Sequence, residues 1–136
     1  MQKFTPFLMF IGRAEEAINL YTSVFENSSV GHIQRYGPDM HVEEGKVMHA
    51  SFFLNGQEFM CIDSSDIHEF TFTPSMSIYV RCASEEELDS VFEKLSEGGQ
   101  VLMPLDRYPF MGKYAWFADR FGVSWQISFQ ENGDAQ

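Results

Sequence analysis

The spacing of apolar residues switches between two periods along the chain, and each switch marks an element boundary. Phe4 to Ile11 is a short aromatic-rich run bounded by Gly12, which predicts a strand. Ala14, Ala17, Ile18, Tyr21, Val24 and Phe25 follow at spacings of three and four, a single stripe along a helix, with Glu15, Glu16 and Asn19 outside it. Asn27-Ser28-Ser29 stops that helix. Val30 to Tyr36 predicts a strand, and Gly37 to Lys46 a polar loop. Val47–Leu54 and Gln57–Asp63 are strands around Asn55-Gly56, the strongest short hairpin signal.

After a turn-rich linker, 64–74, the order repeats. Ser75–Arg81 predicts a strand, and Ser84-Glu85-Glu86-Glu87 is a capping box with Glu three residues after the capping Ser. Leu88, Val91, Phe92 and Leu95 make the stripe of a second helix, which Gly98-Gly99 ends. Gln100–Leu105, Tyr114–Ala118 and Val123–Phe129 are strands, and 130–136 is a frayed polar tail. The chain therefore reads as one domain, 1–136, with a strand–helix–three-strand unit duplicated over 3–63 and 75–129. An offset of 70 pairs Leu8 with Ile78, Ile18 with Leu88 and Phe25 with Leu95; an offset of 66 pairs Gly56 with Gly122 and Phe59 with Trp125. Such halves predict one continuous, cupped and mostly antiparallel sheet with the helices outside.

Composition narrows the function classes. The 136 residues are 44% hydrophobic and 15% aromatic, a globular composition with room for one core. Nine basic against twenty acidic residues give a net charge of −11, which repels phosphate backbones and anionic membranes. Neither nucleic acid nor a membrane is an expected partner. Cys61 and Cys82 are too few for a disulfide framework and too far apart for a metal knuckle. Phe7–Ile11 is too short for a leader and follows Pro6, so the expected location is cytoplasmic.

The duplication, together with Thr5-Pro6-Phe7-Leu8-x-Phe10, Ala14-Glu15-Glu16-Ala17-Ile18-x-x-Tyr21, His49-Ala50-x-Phe52, Gly56-Gln57-x-Phe59-Met60 and Asp119-Arg120-Phe121-Gly122, resembles the vicinal oxygen chelate superfamily. The fit is to its PhnB-like branch, over about residues 3 to 129. The resemblance implies an α+β glyoxalase/bleomycin resistance-like fold of two βαβββ modules and a homodimer. It implies no single activity, since this scaffold hosts many. Some relatives carry a demethylubiquinone methyltransferase name. This sequence, however, lacks the Gly-rich strand-to-helix loop that cradles a nucleoside cofactor.

Metal-dependent relatives draw ligands from the first and last strand of each half. Carried over by position, those places fall on Thr5 (or Pro6), Met60, Ser75 (or Met76) and Gln126. None is a histidine or carboxylate, and a thioether suits hard divalent ions poorly. The expectation is a small-molecule-binding protein with no metal or cofactor and an unnamed ligand. His49, Met60, Ser75 and Gln126 would line its cavity, with Tyr114 and Trp116 as aromatic walls. The alternative is a metal-dependent lyase, isomerase or dioxygenase with a divalent metal held by Glu58, Gln126 and His49; Glu58 lies two residues before Met60 on the same strand face. A third class, an interaction module, would fill the cavity with Phe and Met. His41-x-Glu43-Glu44 lies in the polar loop, His32 on a strand surface and His68 in the linker. Pro109–Lys113 reads as a lid, and Arg35 and Arg81 as strand-end cations. No nucleophile motif stands out, and whether chemistry follows binding stays open.

Overall fold

The computed structural model describes residues 2–131; Met1 and 132–136 of the expected tail lie outside the described residues. The chain divides between Thr71 and Phe72 into two compact units. The first contains β1 (Phe7–Phe10), α1 (Ala14–Val24), β2 (Ser29–Arg35), β3 (Val47–Leu54) and β4 (Gln57–Asp63). The second contains β5 (Ser77–Arg81), α2 (Glu85–Ser96), β6 (Gln100–Tyr108), β7 (Gly112–Ala118) and β8 (Ser124–Phe129). Each is a four-stranded sheet, in the orders β1-β4-β3-β2 and β5-β8-β7-β6. Both sheets are mixed: β1–β4 and β5–β8 run parallel, and the other ladders antiparallel. The α+β glyoxalase/bleomycin resistance-like fold is present. Among the described residues its ladders form two sheets rather than the one continuous sheet expected, because each ladder order ends on strands of its own unit.

In the first unit α1 buries Ala14, Ala17, Ile18 and Tyr21. Tyr21 meets Phe52 of β3 at 6.2 Å between ring centroids, and Phe52 stacks on Phe59 of β4 at 5.4 Å. The β3–β4 turn has positive φ at both Asn55 (51°) and Gly56 (83°), which the Asn-Gly pair supplies at low cost. α1 has no side-chain cap of its own. Instead the buried carboxylate of Asp63, at the end of β4, accepts from Ala14 N at 2.9 Å and from Val47 N at 3.0 Å. One remote acid thus satisfies a helix N–H left without an intrahelical partner. In the second unit the cap is local, as the motif predicts. Ser84 Oγ accepts from Glu87 N at 3.0 Å, and the Glu87 carboxylate accepts from Ala83 N at 2.6 Å. Leu88, Val91 and Leu95 are buried along α2, and Phe92 meets Phe117 of β7 edge-on at 5.7 Å.

Two boundaries move. β6 runs on to Tyr108, through Pro104 at a register break where no ladder N–H is needed. The expected lid is a turn of Pro109–Met111, because Gly112 and Lys113 already belong to β7. Lys113 Nζ is held by Glu85 and Asp89 of α2, each at 2.9 Å. Those contacts lower the Glu85 carboxyl and raise the Lys113 ammonium from their ordinary values, the Lys113–Glu85 hydrogen bond contributing most. Among the described residues no helix is long and apolar enough to cross a membrane.

Candidate functional site

The second sheet has two unlike faces. Phe117, Trp125 and Ile127 are buried on the α2 side. The alternation of β8 puts Ser124, Gln126 and Ser128 on the other side, and the register adds Ser77 and Tyr79 of β5 and Tyr114 and Trp116 of β7. These side chains form one hydrogen-bonded patch. Gln126 sits at its centre: Tyr114 OH donates to Gln126 Oε1 at 2.6 Å, and Gln126 Nε2 donates to Ser77 Oγ at 3.2 Å. Ser77 and Ser124 share a hydrogen at 2.7 Å, Trp116 Nε1 donates to Ser124 Oγ at 2.9 Å, and Tyr79 OH donates to Ser128 Oγ at 3.0 Å. Tyr114 is 2% exposed and lies edge-on to Tyr108 at 5.6 Å. Burial, reinforced by the neighbouring Tyr79 and Tyr108, raises its phenol above the ordinary range, so it stays a donor. The Gln126 amide keeps one lone pair and one N–H beyond this network, enough to meet a ligand that both donates and accepts.

Asp119 anchors the end of β8. Its carboxylate accepts from Phe121 N at 2.8 Å, Val123 N at 3.0 Å and Trp125 Nε1 at 2.9 Å. The Asp-Arg-Phe-Gly segment is therefore a turn clamped to the core tryptophan, with Gly122 at φ 94°. It sets the phase that aims Gln126 away from α2.

The structure brings Tyr114, Trp116 and Gln126 together. It corrects Ser75, which precedes β5, is exposed and bonds to Thr73 Oγ1 at 2.8 Å. Ser77 stands in this patch instead, bonded to Gln126 and Ser124, and Tyr79, not singled out from the sequence, is the register partner of Gln126. His49 and Met60 lie in the first unit. Met60 is in register with Phe7 of β1 and Ser51 of β3. His49 packs edge-on to Phe7 at 5.7 Å and stacks on His32 at 5.0 Å. His32, read as a plain surface residue, is drawn into this cluster by the β2 irregularity between Val30 and Ile33.

A divalent ion fits these residues poorly. The places opposite Met60 and Gln126 on the first strands are Phe7 and Tyr79, not Thr5 and Ser75. The first unit offers a phenyl ring and a thioether there, the second a phenol and an amide whose oxygen already accepts the Tyr114 hydroxyl. Glu58 pairs with Phe53, four residues from His49, so the two stand ~13 Å apart along the sheet. No group of three His, Cys, Asp or Glu converges among the described residues. Cys61 and Cys82 are buried thiols, pushed up to about 12 chiefly by burial, and take no part in either face.

The profile of the 3-demethylubiquinone-9 3-methyltransferase family matches residues 2–128. The chain belongs to that family, the PhnB-like branch of the vicinal oxygen chelate superfamily. The PhnB protein of Bacillus cereus, which carries the same methyltransferase name, is 56% identical; the match covers 95% of this chain and all of that one, with a TM-score of 0.92. Protein PA1353 of Pseudomonas aeruginosa is 26% identical over 96% of this chain and 98% of its own, with a TM-score of 0.82. The fosfomycin resistance protein FosX of Listeria monocytogenes, solved with Mn(II) and sulfate, shares the fold at 13% identity, a TM-score of 0.61, and coverage of 96% and 90%. No curated protein matches. This PhnB-like chain is thus of the glyoxalase/bleomycin resistance type by family and by fold.

Proposed function

We propose that this PhnB-like protein binds a small molecule without a resident metal, on the helix-free face of the second sheet. The observation that carries the reading is the position of Gln126. Its amide is locked between Tyr114 and Ser77 in an orientation that spends the carbonyl inside the protein. A ligand amide held by two neighbours is preorganised for hydrogen bonding, and a carbonyl so engaged is a weak competitor for a hard cation. Trp116, half-buried beside it, offers an aromatic wall for a flat ligand. The methyltransferase name finds little support in the chain. The strand-to-helix connections are Ile11–Arg13 and Cys82–Ser84, three residues each with Gly12 the one glycine, too short to wrap a nucleoside cofactor. Like its relatives by resemblance, the protein is proposed to act as a cytoplasmic homodimer.

Two measurements test this. Metal content after dialysis against Ni, Zn, Mn and Fe(II) should stay well below one ion per chain. Retained stoichiometric metal would favour the lyase, isomerase or dioxygenase reading. A thermal-shift screen of small molecules should give hits that weaken about tenfold in Gln126→Ala, the loss expected for one or two hydrogen bonds. Hits unchanged in Gln126→Ala would remove this face as the binding site.

A further inference from the structure

The first sheet carries a second polar chain on its own helix-free face. The β2 strand passes so close to β3 at Gly31 that a Cβ there would collide with Ser51 Oγ. That approach, with the local register break, turns His32 over Ser51 and His49. Ser51, 4% exposed, accepts from His32 N at 3.3 Å and shares a hydrogen with His32 Nδ1 at 3.1 Å. His32 Nε2 in turn lies 2.9 Å from His49 Nδ1. Facing nitrogens at that distance need one N–H and one lone pair. Two arrays satisfy the chain. In one, Ser51 donates to His32, His32 donates to His49, and His49 Nε2 carries an outward N–H. In the other every hydrogen is reversed and His49 Nε2 presents a lone pair. The arrays interconvert by moving hydrogens alone.

We propose that Ser51, His32 and His49 form a proton relay that makes His49 Nε2 a base for a planar, weakly acidic hydroxyl compound, a phenol or an enol. This rests on the small-molecule reading above and adds a ligand chemistry and a second face. Among the described residues His49 Nε2 meets no hydrogen-bonding group. Its surroundings are apolar: Phe7, 53% exposed, stands edge-on to the ring, and Met60 is the register neighbour of Phe7. An aromatic ring can stack on exposed Phe7 there, leaving its hydroxyl to the imidazole. The ligand O–H breaks, a new N–H forms on His49 Nε2, and the hydrogen on Nδ1 remains donated to His32. The oxyanion stays paired with an imidazolium whose charge is spread along the chain. Glu58 of β4 is the carboxylate on this face, ~13 Å along the sheet from His49. Arg35 of β2 is held by Glu15 of α1 and does not compete. β1 presents Phe7 and Met9, which are uncharged.

The probe is para-nitrophenol, whose phenolate absorbs visible light, added to the full chain in slightly acidic buffer where the free probe is mostly protonated. Wild type should give a saturable phenolate band. His49→Gln should lose the band and bind about tenfold more weakly or worse. His32→Gln and Ser51→Ala should still bind but with a several-fold smaller phenolate fraction, a change that loss of packing alone would not produce. If His49→Gln fails to fold, His49→Phe keeps the ring against Phe7 and removes both nitrogens. In the ligand-free protein, nitrogen-edited NMR should show one deshielded hydrogen shared by His32 and His49 and lost in either variant. Absence of a saturable band in wild type, an unchanged band in the His49 variant, or free tautomer exchange in both rings would overturn the proposal. A band lost in Gln126→Ala but kept in His49→Gln would also overturn it, while leaving the second-sheet reading intact.

Discussion

Replacing Asp119 by alanine removes the acceptor of three hydrogen bonds at once, two from backbone N–H groups and one from the indole of Trp125. Phe121 N is part-buried and can turn to water. Val123 N and Trp125 Nε1 are buried, and each left unpaired costs about 1–3 kcal/mol, so the loss is ~4 kcal/mol. At the unfolding entropy expected for a chain of this size, 1 kcal/mol is worth roughly 3–4 °C, which gives a fall in Tm of ~12–16 °C. Asparagine keeps an oxygen for the turn but sets an N–H against the indole N–H, so Asp119→Asn should fall about half as far. Differential scanning calorimetry of the three proteins reads both numbers. An Asp119→Ala variant melting within ~3 °C of the parent would refute the argument that this carboxylate clamps the last strand. A variant folded at low temperature should also lose affinity for thermal-shift hits if Gln126 meets them as proposed, because the clamp sets the phase of β8.

Other expectations follow from single features. Gly99→Ala drives a Cβ into the backbone carbonyl of Ala118 and should cost about 2–3 kcal/mol, measured by urea unfolding. Gly31→Ala should displace Ser51 Oγ and abolish the hydrogen shared by His32 and His49 in imidazole NMR. Cys61 and Cys82 are raised by burial from an ordinary 9.0 to about 12, so at pH 8 the folded protein should react with a thiol reagent ~1,000-fold more slowly than the urea-unfolded chain. The sign of the linked stability follows. The folded state holds protons that the unfolded state releases above pH ~9, so stability falls as pH rises from there toward 12. A native labelling rate near the unfolded one would refute the burial of both thiols.

Much of the fold was written in periodicity. The stripe Ala14, Ala17, Ile18, Tyr21 is the buried face of α1, and the Ser84 cap forms as its motif predicts. Both strands of the Asn55-Gly56 hairpin have their expected ends. These signals act within a few residues, where backbone sterics and local hydrogen bonds decide the outcome. The alternation of β8 likewise marked Gln126 as pointing away from the helix.

Register between distant strands was not legible, and the site depended on it. An offset counted along the sequence chose Ser75 as the first-strand partner of the site, whereas the β5–β8 ladder sets Tyr79 opposite Gln126 and brings Ser77 into the network. A shift of an even number of residues, here four, keeps the hydrophobic alternation intact, so patterning cannot detect it. His32 was equally silent: an imidazole on an exposed strand carries no mark until a bulge at Gly31 lays it on His49. Asp63 caps a helix 49 residues away, a partnership no local motif encodes. Sequence alone set the elements, the faces and the acidic balance, because those follow from each residue and its near neighbours. Which side chains meet was left to the packing of strands far apart in the chain, where a carboxylate such as Asp63 or a close approach such as that at Gly31 decides which groups pair.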